Sequence, residues 1–201
     1  MALPVEAAVR GSMGDFNTIL VDSEVSLDDA PHEAARMISW LHGRGIIGPA
    51  EVEQGDCRGP DGSYAKVAVN VYRPGPSFKE ASEYDETLRL SHNYLEVTTQ
   101  RTIFTAGDNG IGIYCTRCDT EQTRLGDEWN DAFQTWFDGH PEPLTCVRCG
   151  HVAQLSGWRF DPVFGFGNLG FRFNNWFLSS SFVQAFEREL GRPLTIVHEH
   201  P

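Results

Sequence analysis

Four cysteines stand as two short pairs, Cys115-Thr-Arg-Cys118 and Cys146-Val-Arg-Cys149. Two thiolates separated by two residues can face the same way from one tight turn. Two such turns brought together make a tetrahedral sulfur cage of the kind zinc prefers. The stretch between the pairs is longer than the common spacing of about 15–20 residues. A loop lengthens at small cost, however, because closure entropy rises only logarithmically. Two disulfides or unpaired thiols are the alternative, and the doubled pairs favour metal. Four thiolates would close the coordination shell and leave no position for water, which is the pattern of a structural rather than a catalytic ion. The expectation is one structural zinc per chain on Cys115, Cys118, Cys146 and Cys149.

Other residues of chemical interest are weaker signals. His140 and His151 flank the second pair, but four thiolates already complete the shell, so both read as neighbours. Cys57 has no evident partner and reads as a small apolar filler or an exposed thiol. His32-Glu33-Ala34-Ala35-Arg36 misses the His-Glu-x-x-His metalloprotease pattern, because Arg36 stands where the second histidine belongs and His42 is too far along. Gly165-Phe-Gly-Asn-Leu-Gly170 matches the dinucleotide fingerprint in form, with Glu187 and Glu189 near the offset of about 20 residues. That fingerprint needs a helix opening at the glycines, whereas Leu169, Phe171 and Phe173 alternate as a strand does. Glycines in a strand mark bulges or close backbone approach.

The elements that must position these residues follow from periodicity. Phe16 to Val21 is a β-branched apolar run and predicts a buried strand. Ala34, Ile38 and Leu41 recur at helical spacing after a start between 26 and 30, where Ser26, Asp29 and Pro31 lie, and Gly43 or Gly45 ends the helix. The stretch from Gly48 to Gly62 is polar and turn-rich, while Ala65, Val67, Val69 and Val71 alternate as the inward face of a strand. Leu95 to Phe104 predicts a further strand, and Asn109-Gly110 predicts a hairpin turn leading to a partner strand, Ile111 to Tyr114, that delivers the first cysteine pair. Trp129, Phe133, Trp136 and Phe137 form an aromatic helical stripe between the pairs. Trp158 to Phe160 predicts another strand. Ser181 with Gln184 reads as a capping box for a helix carrying Phe182, Phe186 and Leu190 and stopped by Gly191. Leu194, Ile196 and His198 alternate in a last strand. The fold class is therefore α+β: a mostly antiparallel sheet, two helices packed on it near 30–42 and 182–190, and a four-cysteine zinc-ribbon module inserted at 113–152. Residues 1–12 read as a tag or disordered leader before Met13, and 13–201 as a single domain.

The chain has 201 residues, with 40% hydrophobic and 22% charged, the composition of an ordinary globular protein. No apolar run approaches the roughly 20 residues needed to cross a bilayer. The N-terminus lacks a secretory hydrophobic core, so a reducing cytosolic setting is expected, where thiols bind metal rather than oxidise. The net charge of −12 opposes nucleic-acid binding, and the 113–152 stretch repeats the bias, with Asp119, Glu121, Asp127, Glu128 and Asp131 crowded together.

The run Arg101-Thr-Ile-Phe-Thr-Ala-Gly, both cysteine pairs, and Trp158-Arg-Phe-Asp-Pro leading to Gly165-Phe-Gly-Asn-Leu-Gly-Phe resemble a family of small uncharacterised bacterial zinc-ribbon proteins. Some members are labelled sugar ABC transporter ATPase, and the similarity covers nearly all of the chain after Met13. No Gly-x-x-x-x-Gly-Lys-[Ser/Thr] phosphate loop exists in the sequence to support an ATPase. The resemblance implies a bacterial cytosolic protein and supplies no catalytic residue. The leading expectation is a noncatalytic adaptor- or immunity-like protein that meets a basic protein partner through Asp119, Glu121, Asp127, Glu128 and Asp131. An enzyme assembled from dispersed residues such as His32, Glu33, His42, His92 and Asp161 is the alternative, and a nucleic-acid-associated zinc ribbon a weaker one.

Overall fold

The computed structural model describes residues 16–58, 64–83, 93–107, 110–122, 126–140 and 143–200. The first apolar run becomes β1 (Asn17–Asp22), buried along its whole length. Helix α1 (Ala30–Gly43) buries Ala34, Met37 and Leu41, and Pro31 sits in its first turn, where a missing N–H costs nothing. Ser26 and Asp29 do not form the reciprocal box. Ser26 Oγ accepts the Asp29 N–H at 3.1 Å and donates to its carboxylate at 2.7 Å, which builds the turn ahead of the helix. Two long strands follow, β2 (Ile47–Arg58) and β3 (Tyr64–Pro74). The first of them occupies the stretch that reads as turn-rich. It is an edge strand: Ile47 at its start is buried in the core, and Arg73 of β3 pairs with Glu51 and Glu53 across the ladder. Glu51 and Val52 lie exposed, so the backbone ladder carries the strand without an apolar alternation along it. Of the expected inward residues of β3, Val71 is buried and Val69 half-buried; the side chains of Ala65, Val67 and Cys57 lie outside the described residues.

The expected strand 95–104 is two strands, β4 (Tyr94–Thr98) and β5 (Thr102–Phe104). Next come β6 (Gly112–Tyr114), α2 (Asp127–Phe137), β7 (Pro143–Thr145), β8 (Val152–Gln154) and β9 (Arg159–Asp161). The chain ends with β10 (Gly165–Gly167), β11 (Leu169–Asn174), α3 (Ser180–Leu190) and β12 (Thr195–Glu199). The main sheet has the order β12-β1-β11-β4-β3-β2, and its named strand pairs are all antiparallel. On one face α1 and α3 pack over Leu20, Leu95, Phe171 and Phe173. The Phe186 ring meets Phe171 edge-on at 4.9 Å and Trp40 at 5.9 Å. Helix α3 is capped by Ser179, whose Oγ accepts the Phe182 N–H at 3.2 Å, two residues ahead of the expected Ser181. Gly191, at φ 79°, ends it as expected. In β12 the buried residue is Val197, while Ile196 and His198 are exposed. The opposite parity wins because Val197 faces Ile19 and Val21, on the side of the sheet away from the helices.

Strands β4 and β11 are neighbours, with Gly170 opposite Thr98 and Asn174 opposite Tyr94. Everything between them in sequence is an excursion from the sheet. Its base is the ribbon β5–β10, which lies across the second face of the sheet. There Phe104 is buried with Ile19, Val21 and Val197. The expected hairpin at Asn109-Gly110 is absent from the pairing. Strand β5 pairs with β10 and β6 pairs with β9; Asn109 lies outside the described residues. Phe104 of β5 packs against the sheet, while Ile103 of β5 and Ile113 of β6 both pack in the module's own core. The glycines of 165–170 permit this close stacking. A Cβ on Gly165 would stand 2.7 Å from Val21 Cγ2, one on Gly167 would strike the Asp22 carbonyl oxygen, and one on Gly170 would strike the Phe104 ring. Close backbone approach is therefore the role of the Gly-x-Gly-x-x-Gly pattern here.

Candidate metal centre

Each cysteine pair is folded by the same backbone hydrogen bonds. In the first, the Cys115 N–H donates to the Thr120 carbonyl at 3.0 Å and the Asp119 N–H to the Cys115 carbonyl at 2.8 Å. In the second, the Cys146 N–H donates to His151 at 2.8 Å and the Gly150 N–H to Cys146 at 3.0 Å. The residue after the second cysteine is left-handed in both, with φ 54° at Asp119 and 67° at Gly150. The second turn closes the β7–β8 hairpin, and the first continues β6 and is closed by the Tyr114–Glu121 bridge.

The four sulfurs all lie within 4.8 Å of one another. The Cys115–Cys149 and Cys118–Cys146 distances are each 3.7 Å. A tetrahedron with Zn–S bonds of ~2.3 Å has edges of roughly 3.8 Å, so the cage is compatible with zinc. Disulfides are excluded, since the bonded separation is about 2.05 Å and all four cysteines are free. Cys115 and Cys146 are buried, Cys118 is half-buried and Cys149 is exposed.

The sulfurs do not titrate alike. The Cys149 backbone N–H, ahead of that of Arg148, draws the Cys146 thiol down to about 6. Hydrogen bonding to Thr120 lowers Cys118. At Cys149 the His151 N–H favours the thiolate, but local desolvation of the sulfur inside the cage and the three neighbouring sulfurs outweigh it and push the thiol up to about 12, although the residue as a whole is exposed. Four negative sulfurs at these separations do not coexist unaided. A divalent cation at the centre would supply the opposing charge, and binding it would displace the protons.

Gln122 joins the two turns and carries no signal in the sequence. Its side chain is buried. Its Nε2 donates to the Thr120 carbonyl at 2.8 Å and lies 3.7 Å from Cys146 Sγ, while Oε1 accepts the Val147 N–H at 3.3 Å. Around the cage, Trp129 and Trp136 of α2 are buried in the core that also holds Cys115 and Cys146. Trp129 meets Trp158 edge-on at 5.1 Å, and Trp136 meets Phe166 of β10 at 5.5 Å. The Arg101 guanidinium covers Trp136 at 4.1 Å, and its Nε donates to the Trp136 carbonyl at the end of the helix. The aromatic stripe is thus core, with Phe137 left 46% exposed at its end.

Asp119, Glu121, Asp127, Glu128 and Asp131 are all exposed. Asp119 pairs with Arg159. Asp127 and Glu128 lie in the first turn of α2, where the helix dipole favours carboxylates. The dispersed residues are not gathered into one place. His32 and His42 are exposed on α1, Asp161 is exposed on β9 and His92 lies outside the described residues. Glu33 accepts from Arg36 at 2.9 Å and from Arg192 at 3.2 Å, and the Arg36 contact holds its carboxyl below the ordinary glutamate range. Among the described residues, the four cysteines are the group of three or more His, Cys, Asp or Glu whose ligand atoms converge; His140 and His151 stand outside it. No described helix is long and apolar enough to cross a membrane. No protein-family model, curated protein or solved structure matches the chain.

Proposed function

We propose that the chain is a noncatalytic binding protein in which a structural zinc ion on Cys115, Cys118, Cys146 and Cys149 fixes an acidic helix face for a basic protein partner. The supporting observation is the placement of α2. Its buried residues Trp129 and Trp136 share a core with two of the sulfurs, so whatever holds the sulfurs together also holds the outer face of that helix. That face carries Asp127 and Asp131, and the exposed Phe137 follows at its end. Acidic steering beside an apolar anchor combines fast association with slow release. The chain's net charge of −12 favours a basic protein over a phosphate backbone. A reducing cytosol suits thiolates that hold metal.

The test is a tagged pull-down from native lysate followed by association kinetics with the captured protein. Asp127→Lys and Asp131→Lys together should slow association at least tenfold at low salt and little at high salt, where the charges are screened. Capture of no protein, or rates unchanged by both substitutions at every ionic strength, would sink this reading.

A further inference from the structure

Helix α3 turns Phe182, Phe186 and Leu190 toward the sheet centre and α1. Its other flank therefore overlooks β1 and β12, whose helix-side face no described helix covers there, with Ile196 37% exposed. Between them lies an open cavity of about 480 Å³, within the range of small-ligand sites, ~300–1,000 Å³. One wall is built of rings. Phe16 stacks on Phe177 at 5.1 Å with 12° between the planes, and on His198 at 5.6 Å with 23°. Val183 and Ile196 extend the apolar lining.

The charged side chains in that lining are two carboxylates, Glu83 and Glu187, and no lysine or arginine joins them. Glu187 is held in place from behind, because its Oε1 accepts the Leu194 N–H at 3.0 Å. Its second oxygen has no partner among the described residues, and neither has the Glu83 carboxylate. Arg188 and Arg192 line the adjoining cavity that Glu187 also borders, and Arg192 is paired with Asp22 and Glu33. Inside this groove the two carboxylates, in a chain of net charge −12, attract cations and repel anions. The ring wall adds a preference for a cation that carries hydrocarbon, since a bare metal ion would leave that wall unused.

We propose that this groove binds a small organic cation, a guanidinium or ammonium group on an apolar stem, with the charge on Glu187 and Glu83 and the stem on Phe177, Val183 and Ile196. The site is distinct from the α2 face, so each can fail alone.

Backbone amide NMR titration of the full chain tests it, with benzamidine as the probe and benzamide and benzoate as neutral and anionic isosteres. Saturable shifts at residues around Val183, Glu187 and Ile196 are expected with benzamidine only. Glu187→Gln keeps an acceptor for the Leu194 N–H and should weaken benzamidine at least tenfold, the size of a lost charge-assisted hydrogen bond. Ile196→Lys tethers a competing ammonium at an exposed position and should abolish the binding. Asp127→Lys with Asp131→Lys should leave it unchanged. Benzoate or benzamide binding as well as benzamidine, shifts that map elsewhere, or an unchanged affinity in Glu187→Gln would overturn the proposal. Agmatine should also bind more tightly than N-acetyl-arginine amide. The reverse order would overturn the assignment to a free small molecule in favour of a peptide side chain.

Discussion

Asp119 and Gly150 hold the same place in two copies of one turn, and only one of them is a residue that adopts a left-handed backbone freely. Open space surrounds Gly150, so a methyl group there acts through the backbone alone. Gly150→Ala should destabilise the module by about 1 kcal/mol, the cost of a left-handed Cβ. Asp119→Gly should be close to neutral, because the relieved strain offsets an exposed ion pair with Arg159 worth at most about 1 kcal/mol. Denaturant titration read by tryptophan fluorescence checks both, and a cost for Asp119→Gly above that for Gly150→Ala would contradict the shared geometry. The convergence of the four cysteines was legible because their spacing has one strong chemical meaning. Gln122 was not, since a glutamine that bridges two distant turns leaves no local pattern. Glu33 is a further case. It lies in a sequence resembling a metalloprotease motif, yet it serves as an ion-pair partner of Arg36 and Arg192 between α1 and the chain after α3.

The same Glu33 makes α1 docking depend on pH. Its carboxyl is held below the ordinary value of 4.5, so its contribution is present above that value and is lost as pH falls through the lower, folded value. Glu33→Gln should flatten the acid limb of the stability profile and leave its neutral part no more stable; an unaltered acid limb would remove Glu33 from that role. Among the strands, Gly167→Ala should cost about 1–3 kcal/mol, the range for overpacking, because its Cβ would meet the Asp22 backbone, which has no rotamer to escape into. Gly170→Ala meets the Phe104 side chain instead and should cost less. The reverse order by thermal or chemical denaturation would contradict the stacking of β10 on β1. The strand character of 165–174 was readable from alternation. Strand β2 was not, since beyond Ile47 an edge strand held by its ladder needs no apolar alternation, and the parity of β12 was misread because Leu194 and Ile196 outweigh the lone Val197 in the pattern.

At the level of the whole chain, two cores meet at the β5–β10 ribbon, where Phe104 faces the sheet and Phe166 the cysteine module. The α+β class, the antiparallel sheet and the inserted module followed from periodicity and the cysteine pairs. Strand order did not, because the pairing of β4 with β11 spans the entire module and local sequence says nothing about it. Cys115→Ser leaves the cage incomplete, and in small modules metal affinity is largely folding energy. Amides from Gly112 to Asp161 should then lose hydrogen-exchange protection while those of β1 and β11 keep it, with a melting temperature roughly 10 °C lower at about 2–4 °C per kcal/mol. The metal itself is tested most directly by elemental analysis combined with thiol labelling of protein purified without added metal. One zinc per chain, with Cys115, Cys118, Cys146 and Cys149 unreactive until a chelator is added, is the expected result. A fully folded chain without metal, or one with disulfides at these four positions, would contradict it.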